Sequence, residues 1–231
     1  MMRHLTSLDA IRVEIWRQLE LATRDQRHAW RTPALATING HEADARTVVL
    51  REIDARDHRL LIYTDERASK VPQLLNHPVG TLVMWSAEVG WQLRCRVHLG
   101  LEMTGLAASS RWARIKLTPA AQDYLSPLAP GTPLDDPSAP ATAAAARDYF
   151  SVISAKVLSI DWLELHSQGH RRARFDNTSA RWLQPSRAVS VSRSAPLRNG
   201  NGRAVTSCAI TFCSVPSCAS SSLTTKPPPT E

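Results

Sequence analysis

The spacing of apolar residues near the amino terminus predicts an amphipathic helix over residues 6–30. These residues recur at steps of three and four, which places them on one face of a helix: Leu8, Ile11, Ile15 and Leu19. Thr6 and Asp9 have the spacing of a capping box at its start. We therefore expect this helix to pack one face against the rest of the domain.

From Pro33 onward the pattern changes to short runs of β-forming residues separated by turn residues. Alternation along Arg46-Thr-Val-Val-Leu-Arg51 predicts one continuous strand, with Arg46 and Arg51 on opposite faces. The predicted strands, joined mostly by tight turns, cover residues 34–38, 47–53, 60–63, 81–85, 91–103, 151–165 and 170–175.

Two other segments have helical patterns, residues 69–76 and residues 109–124, where Thr118-Pro119 fits the start of a second short helix. Residues 126–140 are rich in Pro, Ala and Asp, which predicts a mobile surface loop. We interpret residues 1–185 as one α+β domain that is mainly β. Residues 186–231 have no sustained pattern, which is typical of a disordered tail or of an aberrant terminus produced by a shifted reading frame.

The formal net charge of +7 suggests a polyanionic partner only if the charge lies in the folded part. The tail carries +4 of it and residues 1–185 only +3, so we expect no nucleic-acid partner. No run of about 18 apolar residues occurs, so we expect no membrane partner. Cys95 is the one cysteine before the tail, which favours a reduced, cytoplasmic protein, and the three tail cysteines fit no metal site.

Cationic and hydroxyl residues recur around the second and third predicted strands. Arg46 lies on the first of these, and Ser69 and Lys70 stand at the start of the predicted short helix. Together they could bind a phosphate dianion through charge-assisted hydrogen bonds. The alternative is that these side chains are simply solvated, which is the common state of Arg and Lys beside strands.

The order of several motifs resembles the pyridoxamine 5′-phosphate oxidase-like family over roughly residues 32–184. The motifs are RTVVLR, IYTDERASK, WQLR and HRRARF, and their details are similar to the FMN-binding domain branch rather than to the oxidase itself. The resemblance implies a split β-barrel with peripheral helices. It also implies FMN as the cofactor and a homodimer with FMN between the subunits.

The resemblance further implies two sets of site residues. Arg46 and Lys70 would bind the FMN phosphate, with Ser69 beside them, and Arg51 would lie near the flavin ring. The implied FMN-binding residues are Arg46, Thr47, Val48, Arg51, Tyr63, Thr64, Ser69, Lys70, Gln92 and Arg174, and the implied substrate-binding residues are His170 and Arg172.

Departures from the oxidase pattern concern the substrate. The late motif reads His170-Arg-Arg-Ala-Arg174 where the oxidase has Arg-x-His-x-Arg, and Leu163 stands where the oxidase has a flavin-stacking tryptophan. His170 and Arg172 would bind a different anionic substrate, or be solvated as part of a charged edge strand.

Our leading hypothesis is an FMN-dependent oxidoreductase of unknown substrate. No side chain is a strong catalytic candidate, because the flavin itself would accept the hydride. The alternative is a non-catalytic module that binds flavin, heme or a deazaflavin.

Overall fold

The computed structural model describes residues 5–134, 148–166, 169–176 and 178–185, together with the pairs 197–198 and 204–205. Residues 1–185 form one compact unit and residues 186–231 a second one. In the second unit, two short strands, Leu197–Arg198 and Ala204–Val205, pair antiparallel. The second half of the predicted loop at 126–140, and nearly all of the predicted tail, lie outside the described residues.

Helix α1 spans Leu8–Arg24. Of the predicted apolar face, Ile11, Ile15 and Leu19 are buried and Leu8 is partly buried, and Ala22 is buried as well. The Ser7 hydroxyl caps the helix by accepting the Ala10 N–H at 3.1 Å, so the predicted capping box of Thr6 and Asp9 is wrong by one position. The helix ends at Arg24 and not at residue 30 as predicted. Just after this end, the Asp25 carboxylate accepts the Arg27 N–H at 2.8 Å, a local bond that competes with helix continuation.

Nine described strands form one mainly antiparallel sheet. Their order is β2-β1-β5-β6-β7-β4-β3, with β8 beside β7 and β9 beside β8. The strands are β1 Ala34–Asn39, β2 Glu42–Thr47, β3 Leu50–Asp54, β4 Arg59–Asp65, β5 Val79–Ser86, β6 Trp91–Glu102, β7 Phe150–Glu164, β8 Arg171–Asp176 and β9 Ala180–Leu183.

The two ends of this order, β2 and β3, are consecutive in the chain, and the segment before β1 joins them. The Val48 N–H donates to the Pro33 carbonyl at 2.9 Å, and the Leu50 N–H donates to the Arg31 carbonyl at 2.8 Å. These bonds close the sheet into the split β-barrel that the sequence predicts.

The prediction of one strand through residues 47–53 is wrong. The chain leaves β2 at Thr47 and enters β3 at Leu50, and a register shift between Leu50 and Glu52 leaves Arg51 without a paired residue. Alternation over six residues is the same for one long strand and for two short strands, so the pattern could not reveal the break.

Strand β7 pairs with a different strand along each of its two halves. Its first half, Phe150 to Lys156, pairs with β4, and its second half, Ser159 to Glu164, pairs with β8. Strand β8 is not an edge strand as expected, because β9 pairs with its outer side.

Short helices cover the barrel: α2 Lys70–Asn76, α3 Leu106–Ile115, a 3₁₀ turn Pro119–Ala121 and α4 Gln122–Leu125. We call residues 106–125 the α3–α4 arm. Its Tyr124 joins Leu61, Phe150 and Val152 in a second apolar cluster, apart from the main core beneath α1. None of the described helices combines the length and apolar character needed to cross a membrane.

Candidate functional site

Arg46 connects strand β2 to helix α2. It pairs with the buried Leu35 of β1, so its side chain lies on the core side of the sheet. One terminal nitrogen donates to the Thr37 hydroxyl at 2.5 Å, and the other donates to the Gln73 carbonyl oxygen at 2.8 Å. Asp44 forms an ion pair with the same guanidinium. Arg46 is therefore held in place where α2 meets the sheet.

Lys70 is the first residue of α2, one helical turn before Gln73. Burial lowers the pKa of its ammonium, the positive charge of Arg46 lowers it further, and Asp65 opposes both. Arg46 bonds Gln73 on the same helix, one turn after Lys70, so both cations lie where α2 meets the sheet. Among the residues that the structure describes, Lys70 has no hydrogen-bond or ion-pair partner. The two predicted phosphate ligands thus share one neighbourhood, and one of them has no counter-ion.

Ser69 is exposed just before Lys70, and its hydroxyl makes no capping bond to α2. It lines a cavity of about 280 Å³ between the β1–β2 turn and α2, where Asn39, Gly40 and Gln73 also lie. A cavity of about 770 Å³ beside α1 contains none of the predicted site residues. The smaller cavity is therefore lined by Ser69 and by Gln73, the hydrogen-bond partner of Arg46, whereas Arg46 and Lys70 themselves do not line it.

The hydroxyl of Tyr63 on β4 is hydrogen-bonded to a carboxylate. It donates to Glu52 at 2.5 Å, and Glu52 also accepts from Arg111 at 3.0 Å and from Arg114 at 2.8 Å. Burial and the bond to Glu52 raise the pKa of Tyr63 far above its usual value. The guanidinium carbon of Arg51 lies 5.9 Å from the centre of the Tyr63 ring. Arg51 and Tyr63 are thus neighbours, and Tyr63 stays a neutral phenol.

The remaining residues predicted on β2 and β4 lie in different environments. Thr64 is buried, and its hydroxyl donates to the Asp65 carbonyl at 3.2 Å. Val48 is buried in the link between β2 and β3. Thr47 is exposed and lies on the opposite face of β2 from Arg46. These three do not meet in one pocket of the chain.

Gln92 lies on the outer face of the sheet, away from the core. Its neighbours Trp91 and Leu93 are buried, so Gln92 projects to the other side. In the sheet register Gln92 is opposite Leu163, and Leu163 is opposite Arg172. Gln92 and Arg172 thus flank Leu163 in one row across three strands.

Asp161 holds Arg172 in this outer face. Arg172 donates to both Asp161 oxygens, at 2.9 and 2.5 Å, and Arg94 donates to one of them at 2.6 Å. Burial opposes ionisation of Asp161, yet the bonds from Arg172 and Arg94 lower its pKa overall. The guanidinium that the sequence assigns to an anionic substrate is therefore already paired.

Arg174 and His170 also have partners within the chain. Arg174 bonds Asp176 at 3.0 Å. The His166 N–H donates to Nδ1 of His170 at 3.3 Å.

Most of the predicted residues therefore fall into three groups within one chain, and Thr47, Val48 and Thr64 lie outside them. The α2 group is Arg46, Ser69 and Lys70. The ring group is Arg51 and Tyr63. The outer-face group is Gln92, Arg172 and Arg174, whereas His170 precedes β8 and is not part of it.

Sequence reasoning missed the residues that hold these groups, above all Gln73, Glu52 and Asp161. Only Asp161 had a usable signal, because it is an acidic residue inside the apolar run VLSIDWL, where a carboxylate needs a buried partner. Gln73 and Glu52 stand in ordinary amphipathic patterns that give no such indication.

Comparisons with known proteins agree with this fold. Residues 13–101 match the family model described as pyridoxamine 5′-phosphate oxidase, FMN-binding domain. The structure of a pyridoxamine 5′-phosphate oxidase-related, FMN-binding protein from Nostoc punctiforme PCC 73102 is 23% identical, with a TM-score of 0.61, over 78% of this chain and 100% of that chain.

A second solved structure, PhzG from Burkholderia lata 383 in complex with tetrahydrophenazine-1-carboxylic acid, is 16% identical with a TM-score of 0.59. The match covers 79% of this chain and 95% of that chain. At these identities the two structures show a shared fold. A comparison with curated proteins gave no match. Residues 13–101 therefore belong to the pyridoxamine 5′-phosphate oxidase-like family of FMN-binding domains, and the cofactor of this domain is FMN.

Proposed function

We propose that Arg46 and Lys70 bind the FMN phosphate and that the protein is an FMN-dependent oxidoreductase. The phosphate assignment rests on the surroundings of Lys70. Its ammonium is partly buried near Arg46, and Lys70 itself has no described counter-ion. A buried ammonium is costly unless an anion compensates it, and a phosphate dianion would do so. Arg46 is preorganised for the same ligand by its bonds to Thr37 and Gln73.

The three groups of residues support a site shared between two copies of the chain. The α2 group lies on the core side of the sheet, and the outer-face group lies on its other side. One flavin cannot contact both faces of the same sheet. We therefore propose a homodimer in which the α2 group of one protomer and the outer-face group of its partner contact the same FMN.

When bound, FMN supplies hydride chemistry, so the protein has to bind and orient it rather than provide a nucleophile. Arg46 and Lys70 would fix the phosphate end. Arg51 would place positive charge near the ring and stabilise negative charge there. Tyr63 would not exchange protons, because its hydroxyl is committed to Glu52 and its pKa is raised.

A flavin titration of the purified full chain tests the phosphate assignment. We expect FMN to bind more tightly than riboflavin, which has the same ring system but no phosphate. Lys70→Met should weaken FMN binding about tenfold or more and leave riboflavin binding unchanged, because a charge-assisted contact is lost. Lys156→Met, at an exposed lysine on β7, is the matched control and should bind FMN like the wild type. Equal affinity of the wild type for FMN and riboflavin would contradict the assignment.

Stopped-flow absorbance separates an oxidoreductase from a carrier of flavin. We expect the bound flavin to be reduced by a nicotinamide donor and reoxidised by oxygen over repeated cycles. A flavin that stays oxidised with every donor would instead support the non-catalytic binding module.

A further inference from the structure

A buried carboxylate lies next to the proposed phosphate site. Asp65 ends β4, Lys70 begins α2, and four residues join them. The Asp65 side chain is only 4% exposed. The chain turns directly after Asp65, because the Ala68 N–H donates to the Asp65 carbonyl at 3.1 Å and the Val71 N–H donates to the Ala68 carbonyl at 2.8 Å. The charge of Asp65 opposes the lowering of the pKa of Lys70 by burial. Asp65 is therefore a potential internal competitor for the ammonium that the phosphate needs.

Arg67 occupies both oxygens of this carboxylate. Oδ1 accepts the Arg67 backbone N–H at 2.7 Å and its Nε at 3.0 Å, and Oδ2 accepts Nη2 at 2.6 Å. This is a bidentate pair, the strongest geometry for an arginine and a carboxylate. Asp65 is thus neutralised by Arg67 rather than by Lys70.

Arg67 is itself fixed by the segment after the α3–α4 arm. Its guanidinium donates to the carbonyls of Ser126 at 2.9 Å and Pro127 at 3.2 Å. Its central carbon lies 3.3 Å from the centre of the Tyr149 ring. These contacts hold the guanidinium over Asp65, so the pair does not depend on a freely moving side chain.

We infer that Arg67 is a positioning residue of the phosphate site, which keeps Asp65 from pairing with Lys70 and so leaves the lysine available to the ligand. This inference rests on the proposed function. Without Arg67, the buried Asp65 carboxylate would need another cation, and the Lys70 ammonium, which has no described partner, follows the same short turn. Arg46 is a poorer candidate, because Asp44 already pairs with it.

Flavin titrations of Arg67→Gln, Asp65→Asn and the double variant Arg67→Gln/Asp65→Asn test this inference. We expect Arg67→Gln to weaken FMN binding about tenfold, as expected when a contact to a charged ligand is lost, and to leave riboflavin binding unchanged. The double variant should regain wild-type FMN affinity, since no carboxylate then competes for Lys70. Asp65→Asn alone should bind FMN at least as tightly as the wild type. Arg17→Gln removes a bidentate pair with Glu14 on α1 and is the control, with no expected effect.

The outcomes separate this inference from the function on which it rests. If the wild type does not prefer FMN to riboflavin, the phosphate assignment itself fails. Suppose that the wild type prefers FMN to riboflavin and that Lys70→Met removes this preference. The inference then fails if Arg67→Gln binds FMN as tightly as the wild type does. It also fails when Arg67→Gln weakens both flavins equally without rescue by Asp65→Asn, because Arg67 would then only brace the fold. If Arg67→Gln does not fold, weaker FMN binding by Asp65→Asn overturns it.

Discussion

His28 shows how one side chain can couple the stability of this fold to pH. Its Nδ1 accepts the Trp30 backbone N–H at 3.1 Å, so Nδ1 carries no proton. Its Nε2 therefore donates to the Gln18 carbonyl oxygen at 2.8 Å. Burial lowers the pKa of His28 below its ordinary value. Protonation would cost the bond to Trp30, whose ring is buried and stacks on Trp91.

We predict that the free energy of unfolding decreases as the pH falls below the pKa of an unfolded histidine, about 6.5. The unfolded chain then binds a proton that folded His28 resists, so the effect is absent at higher pH and grows until folded His28 also titrates. Urea unfolding between pH 7.5 and 5.5, followed by tryptophan fluorescence, measures it. His28→Asn keeps an acceptor near the Nδ1 position without titrating and should flatten the dependence. His77→Asn, at an exposed histidine, should leave the pH dependence unchanged. If the free energy of unfolding changes equally with pH in the wild type and in both variants, the prediction is contradicted.

Residue types and order were enough to predict Arg46 and Lys70 as candidate phosphate ligands, because cations near a strand and a helix start are visible in the sequence. The ion pairing around those cations was not predictable. Asp44 pairs with Arg46, and Asp65 pairs with Arg67 rather than with Lys70, and side-chain geometry across the sheet decides these pairings. For the same reason the sequence could not show that Asp161 already neutralises Arg172.

The α3–α4 arm is the element that covers the ring group. Trp112 stacks on Phe150 with 5.5 Å between ring centres, and Tyr124 meets the same ring edge-on at 5.2 Å. Arg111 and Arg114 of the arm bond Glu52, which in turn holds the Tyr63 hydroxyl. The arm therefore stabilises the surroundings of Tyr63 through both apolar and ionic contacts.

Trp112→Ala should lower the free energy of unfolding by about 2 kcal/mol, because a half-buried indole and its ring contacts are lost. Urea unfolding followed by circular dichroism measures the change. Leu106→Ala on the same helix is the control, since Leu106 is 85% exposed, and its effect should stay within about 0.5 kcal/mol. Equal effects of the two substitutions would show that the arm does not pack as described.

The helices and most strands could be predicted because their periodic apolar patterns match local geometry. The break between β2 and β3 could not. It depends on backbone bonds from Val48 and Leu50 to the segment before β1, and these bonds exist only once the barrel has closed. Strand β9 was missed as well, since it is a short strand whose exposed Trp182 and Arg181 give no alternation.

At the scale of the whole molecule, the sheet separates residues that one cofactor would need together. Arg46 shares a face with the buried Leu35, whereas Gln92 lies between the buried Trp91 and Leu93 and projects to the other face. Under the proposed function, a single chain therefore presents two partial sites. Two protomers related by a twofold axis would complete two sites, each built from both chains.

Co-expression of two differently damaged chains tests this shared site. Lys70→Met removes a cation of the α2 group, and Gln92→Leu removes a polar group of the outer-face group. If each site takes one group from each protomer, a mixed dimer contains one site in which both groups are intact. Random pairing of equal amounts then gives wild-type FMN affinity at about a quarter of all sites, although neither variant alone binds FMN tightly. Co-expression of Lys70→Met with Arg46→Met should restore no site of wild-type FMN affinity, because both substitutions damage the same group. Flavin titration of the two mixtures measures the fraction of sites that bind FMN with wild-type affinity. If the mixture of Lys70→Met and Gln92→Leu contains no such sites, the two groups do not share one FMN across a dimer.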